Sequence, residues 1–348
     1  MNTPSASQQT EHAVLAVLTG QPVPDIAART GIDPAELGDA VALYRAAGRD
    51  ALAAQAARLD WYQFRVEFPD WNRCEDAAAL LARRLADAER AGLVGAWWFV
   101  RKAPQWRLRA MPGPQRTDRL PHVLAGILDA LVEHRSIIRW WPTVYEPEVP
   151  AFGGPDAMDI AHALFHADST HILDHIQDAE PPLGRRELSV LLLCALFRAA
   201  GLEWFEQGDV WDKVSRLRPL PADVTTIQLA ELGHGIRTLM NADPSPLLAP
   251  DGTLEAIAPW FGAFETAGRA LGEAAAAGSL ERGLRQVLGH HVIFHWNRLG
   301  LSARLQALIA HAATHTVMNP DAPLQCGSSS HPGHPGDRPR REGRPCKR

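Results

Sequence analysis

Four arginines, a tyrosine and two histidine-crowded runs are the side chains in this sequence that could do chemistry. Arg65, Arg107, Arg109 and Arg139 sit in short alternating stretches, with Trp and Tyr interleaved among them. In a strand, successive side chains point to opposite faces. Arg65 therefore travels with Gln63 and Glu67, Arg107 with Arg109, and Arg139 with Trp141 and Tyr145, while Ile138, Trp140 and Val144 turn inward. Guanidinium groups gathered on one face suit bidentate capture of carboxylates, and without acids to pair them they are costly to enclose. A solvated face with scattered ion pairs is the plainer alternative. Tyr145, Glu146 and Glu148 make the tightest acid/base grouping.

The histidines come next. His290, His291 and His295 share a helical run, the last two one turn apart, but no third ligand accompanies them, so a metal site is not expected. Trp296, Asn297 and Arg298 make His295 the better candidate for a cleft, where a neutral imidazole can take or return a proton near pH 7. His162, His166, Asp168, Ser169 and His171 crowd a second run. Spacing within one helix seldom gives a Ser/His/Asp triad, and no nucleophile elbow is present. Asp168 and Ser169 read as substrate positioning or as helix packing.

These groups need elements to hold them. Trp61–Phe68 alternates, a helix follows at about 73–92, and then come strands at 96–101 and 105–110, a helix at 119–134 and a strand at 136–146. The order β-α-β-β-α-β is that of the ferredoxin-like split unit. Helices are expected thereafter at 155–178, 185–201, 203–216, 223–240, 253–277, 279–299 and 301–316. Gly153-Gly154-Pro155-Asp156 is a sound start signal for the first of them. The fold class is α+β: an antiparallel ferredoxin-like sheet followed by a large helical half, with a small helix-turn-helix-like module in front.

That module has three short helical patterns, His12–Gly20, Pro24–Gly31 and Pro34–Gly48. Its presumptive recognition helix opens with Asp33, Glu36 and Asp39, where a DNA reader would bring positive charge. Packing or peptide docking is the expected role. The expected domains are a disordered 1–10, the module at 11–58, the main domain at 59–316 and a disordered basic tail at 317–348. Net charge is −5, unevenly spread: the tail carries six Lys/Arg against three Asp/Glu. Four cysteines show no pairing or metal spacing, and no signal peptide or long apolar run occurs, so a reducing cytoplasm and no membrane are expected.

The run Arg139-Trp-Trp-Pro-Thr-Val-Tyr-Glu-Pro-Glu through Phe152-Gly-Gly-Pro to Asp168-Ser169 resembles the C-terminal elimination domain of class I lantibiotic dehydratases and the thiopeptide-type bacteriocin biosynthesis proteins. Trp-Trp-Phe-Val-Arg at 97–101, Trp-Arg-Leu-Arg at 106–109, Gly-Arg-Arg-Glu-Leu at 184–188 and His-Trp-Asn-Arg-Leu at 295–299 fit in the same order. The resemblance implies a precursor peptide as substrate and no cofactor. It implies elimination of glutamate from glutamylated Ser/Thr to give dehydroamino acids, a carbon–oxygen lyase reaction. A separate glutamyl-tRNA-dependent dehydratase subunit would supply the ester, and a second copy of the chain is another candidate partner. The same scaffold also serves aza-[4+2] pyridine synthases of thiopeptide pathways, and a non-catalytic peptide-binding subunit is the third reading. The expected catalytic residues are His295, Tyr145, Arg107 and Arg109. Arg65, Arg101, Arg139, Glu148, Asp168, Ser169, Asn297 and Arg298 are expected to bind substrate.

Overall fold

A computed structural model describes residues 6–113 and 119–318. Three helices come first, α1 (Ala6–Leu18), α2 (Val23–Thr30) and α3 (Pro34–Asp60). Their own small core is built from Ala13, Val14, Ile26, Ala27, Leu37 and Val41. Gly31 ends α2 in the left-handed region, and the Asp33 carboxylate accepts from the amides of Ala35 (2.8 Å) and Glu36 (3.3 Å) to cap α3. Acids at the start of this helix thus have a local role. Two expectations change: residues 6–10 are helical, and α3 runs through Gly48 to Asp60 because the alanine-rich stretch beyond it favours helix. The expected basic tail lies outside the described residues from position 319 on.

The sheet contains β1 (Tyr62–Glu67), β2 (Val94–Lys102), β3 (Gln105–Pro112) and β4 (Arg139–Thr143) in the order β2-β3-β1-β4, every pair antiparallel. A 3-10 turn (Trp71–Ala77) leads into α4 (Ala78–Arg90), and α5 (Leu120–Glu133) precedes β4. This is the expected split β-α-β-β-α-β unit. Both helices belong to one face: Leu81, Leu85, Leu124, Leu128 and Leu131 share a core with Phe64, Val66, Phe99, Trp106 and Leu108. The fourth strand is shorter than expected. Ile138 and Val144 are 52% and 81% exposed instead of inward, because regular pairing stops at Arg139 and Thr143. Trp140 does face the helices, packing on Phe64 and donating to Asp129 of α5 at 2.9 Å.

The helical half comprises α6 (Val149–Phe152), α7 (Pro155–Gln177), α8 (Arg185–Ala199), α9 (Trp204–Leu217), α10 (Thr226–Asn241), α11 (Ser245–Leu248), α12 (Ala258–Ala276), α13 (Leu284–Leu299) and α14 (Ala303–Met318). Helix α8 is its centre, with every residue from Leu188 to Phe197 buried. Gly153 and Gly154 both have positive φ, +94° and +110°. A Cβ there would come within 2.9 Å of Val287 and 3.0 Å of Glu281, so the start of α7 can lie against the approach to α13 only as glycine.

Helix α7 then runs along the exposed side of edge strand β2. The Phe99 amide donates to Ser169 Oγ (3.2 Å), and His166 Nδ1 bonds the Trp97 carbonyl (2.9 Å). These contacts close an edge that would otherwise offer unpaired backbone groups. At the far end of α13, Arg101 Nε donates to the Arg298 carbonyl (2.8 Å) while Glu75 pairs with Arg101 and with Arg185 (2.6 Å). Cations are favourable at a helix C-terminus. No helix among the described residues is long and apolar enough to cross a membrane. Leu128 is fully buried between α5 and the sheet. Leu128→Ala is expected to cost about 2–5 kcal/mol in urea unfolding, against less than about 0.5 kcal/mol for exposed Val144→Thr.

Candidate active site

Strand register assembles the arginine face. Gln63 opposes Arg109 and Thr143, Arg65 opposes Arg107 and Trp141, and Glu67 opposes Gln105 and Arg139. Across β3, Arg109 opposes Trp98 and Arg107 opposes Val100. Residues directly opposite share a face, so Arg65, Arg107, Arg109 and Arg139 all project away from α4 and α5. Arg139 stands at the rim, its side chain 67% exposed, paired with Glu67 at 2.8 Å and laid on Trp141.

The other three crowd together. The pKa of Arg107 is lowered by partial burial and then by the positive charge of Arg65, with exposed Glu148 pulling the other way. Arg109 is buried. Its guanidinium lies 4.0 Å over the Trp98 ring and 4.8 Å over Tyr145, and its Nε donates to Gln63 Oε1 at 2.7 Å. Burial above all brings its pKa down to about 10. Arg109 Nη1 and Arg65 Nε are buried with no hydrogen-bond partner. The same holds for indole and imidazole nitrogens elsewhere in the core, among them Trp106, Trp211 and His291.

Beyond the end of β4, Tyr145 turns back under Arg109, and its hydroxyl lies 2.8 Å from His162 Nε2 on α7. The rings of Trp61, Trp98 and Phe165 wall the pair, Trp61 at 4.6 Å from the imidazole. Burial pushes the phenol well above its ordinary value despite the nearby Arg109. Burial, and then Arg109, push His162 down to about 4. Both groups are therefore neutral at pH 7 and joined by one hydrogen bond. His162 was not singled out from the sequence, where it is one histidine among several on a helix. Only the packing of α7 against β2 distinguishes it.

His295, Asp168 and Arg298 meet elsewhere. Asp168 is 0% exposed and accepts from Trp260 Nε1 (2.9 Å), His295 Nδ1 (3.0 Å) and Arg298 Nε (2.7 Å). Its burial would raise the carboxyl pKa, but His295 and Arg298 outweigh that and hold it at about 2. The Arg298 guanidinium lies 4.3 Å over Phe165, whose ring also packs on Trp98 at 4.7 Å. His295 is 1% exposed, with Phe264 edge-on to its ring, so it is enclosed in the core instead of standing in an open cleft as expected.

Three further expectations are corrected. Arg101 alternates onto the helix-covered face, where it pairs with Glu75. Asn297 is turned away from His295 on α13 and accepts from Gln306 Nε2 at 3.1 Å. Ser169 is occupied by the edge of β2.

Two outcomes follow. Asp168→Asn leaves Arg298 buried without a counter-charge and is expected to cost about 3–5 kcal/mol in urea unfolding. For His162 the folded pKa lies below the ordinary 6.5, so the unfolded chain binds the proton first. Its contribution is complete above pH 6.5 and is lost as pH falls through about 4. His162→Gln should flatten that part of the stability–pH curve, measured by thermal unfolding.

Comparison with known proteins agrees with this architecture. The model of the lantibiotic biosynthesis dehydratase C-terminal family matches residues 61–317. No curated protein sequence matches significantly. Among solved structures, the tRNA-dependent lantibiotic dehydratase MibB from Microbispora sp. 107891 is similar at 20% identity and a TM-score of 0.57 over 75% of this chain. The chain spans 28% of MibB, and the likeness is one of fold. TsrL matches at 16% identity and TM-score 0.48, over 77% of this chain and 99% of that one. The pyridine synthase TbtD from thiomuracin biosynthesis matches at 15% and 0.46, over 74% and 97%. From the residue before β1 to the last turn of α14, the chain belongs to the lantibiotic biosynthesis dehydratase C-terminal family.

Proposed function

We propose that the arginine face is the site of glutamate elimination from glutamylated Ser or Thr in a precursor peptide. One observation carries this reading: Arg65, Arg107 and Arg109 crowd one face with Glu148 as the acid that offsets them, and a donor of Arg109 is buried without a partner. Like charges directly opposite one another on a sheet repel. The arrangement is relieved when a carboxylate enters, and the glutamyl leaving group carries carboxylates.

The chemistry then distributes over the chain's own residues. Arg107 and Arg109 hold the glutamyl carboxylate and place the ester over Tyr145. Substrate carboxylate against Arg109 offsets a charge that holds the His162 pKa down, so Nε2 of His162 takes the Tyr145 proton as the Tyr145 oxygen accepts the Cα proton, which leaves an enolate-like peptide. The enolate electrons form the Cα=Cβ double bond, the Cβ–O bond breaks, and glutamate departs as an anion between the guanidinium groups. A separate subunit would install the ester from glutamyl-tRNA.

A second reading draws on the neutrality of Tyr145 and His162 between flat aromatic walls, which also suits the amide tautomer of an aza-[4+2] cycloaddition. Purified glutamylated peptide decides between them, with free glutamate and the dehydrated mass as readouts. Release of both is expected, and Arg107→Ala should slow it by about a hundredfold or more with the fold retained. No release together with ring closure of a bis-dehydroalanine peptide replaces elimination by cycloaddition. Tight peptide binding with neither reaction leaves a docking subunit.

A further inference from the structure

Arg101 and Asn297 both line a pocket of about 550 Å³ at the C-terminal end of α13. Small-molecule sites usually span about 300–1000 Å³. Its lining includes Glu75, Arg101, Arg218, Asn297 and the corner that carries α13 into α14. Arg101 lies on the helix-covered face of the sheet, so the pocket is separate from the site of Tyr145 and Arg109.

The charges around it do not balance. Glu75 is claimed twice, by Arg101 and by Arg185. Burial alone would raise its pKa, but the bonds from Arg185 and Arg101 hold it at about 2, so it stays ionised. Arg218 is half-buried and bonds neutral oxygens, Gln306 Oε1 at 2.7 Å and the Leu217 carbonyl at 3.0 Å. Burial lowers its pKa with no carboxylate among the described residues opposing the effect. Arg185, outside the lining, bonds both Glu75 oxygens and is enough to neutralise it, so Arg101 and Arg218 are left as two positive charges at the pocket.

Donors are also left over. The Arg101 side chain is 6% exposed, yet its Nη2 has no hydrogen-bond partner. Asn297 uses its oxygen to accept from Gln306, which keeps its amide hydrogens free to donate. Helix α14, 16 residues long, starts at this corner. Ser302 caps it, taking the Leu305 amide on its hydroxyl (3.2 Å) and the Gln306 amide on its carbonyl (2.9 Å), while the amides of Ala303 and Arg304 remain at the positive end of the helix.

We propose that this pocket binds a phosphate-bearing small molecule, held by Arg218, Arg101, Asn297 and the first turn of α14. Two residual charges match a phosphate dianion, whereas a single carboxylate would leave one uncompensated.

Isothermal titration of the full chain with inorganic phosphate, glycerol 3-phosphate and glutamate tests it. Saturable one-site binding of both phosphates is expected, weakened about tenfold or more in Arg218→Gln, a neutral residue that can still reach Gln306, and largely kept in Arg218→Lys. Arg107→Ala should bind phosphate as the native chain does. Thermal unfolding checks that each variant is folded. The proposal is overturned if phosphate fails to bind, if Arg218→Gln binds it equally well, or if glutamate binding is the one that Arg218→Gln weakens. Loss of phosphate binding in Arg107→Ala would move the anion to the arginine face and equally overturn it.

Discussion

Asp168 is a carboxylate with no access to water, and a charge in that position must be answered by protein groups. Its three donors come from two other helices, Trp260 on α12 and His295 and Arg298 on α13. The cluster therefore fixes α7 against both. Much of what gives the site its form follows from where α7 then lies. One residue on, Ser169 reaches the Phe99 amide; three residues back, Phe165 fills the space against Trp98; six back, His162 meets Tyr145. A shift of α7 by one residue would release all of these contacts together.

The sheet sets up an opposite situation, positive charge gathered without enough acid. Register alone brings Arg65 and Arg107 face to face, and α6 with the start of α7 covers part of the same surface, so that Arg109 is desolvated against Trp98 and Tyr145. Cation–π contacts recover part of what burial costs a guanidinium, at about 0.5–2 kcal/mol each. They do not satisfy a lone N–H donor.

The N-terminal helices stand apart from this logic. They have their own core, lie outside residues 61–317, and place their acids where a helix start uses them.

Period, order and punctuation were enough to read the fold. Alternation marked the strands, 3.6-residue spacing marked the helices, and Gly153-Gly154-Pro155-Asp156 marked the start of α7 because proline suits the first helical position and an acid the positive end of the helix. The same alternation put Arg65, Arg107, Arg109 and Arg139 on one face, since that depends on the pleat alone. It failed at Ile138 and Val144, where pairing stops and period two no longer has a sheet to refer to. What the sequence by itself determined was therefore local: which residues are strand, which are helix, and which side chains share a strand face. Tertiary packing alone decided that Tyr145 meets His162, that His295 lies sealed against Phe264 with Asp168, and that Arg101 and Asn297 face a different pocket. Those outcomes depend on contacts between residues as many as 197 positions apart, and the rotation of a helix about its axis against a sheet is set by the whole core and not by its own sequence.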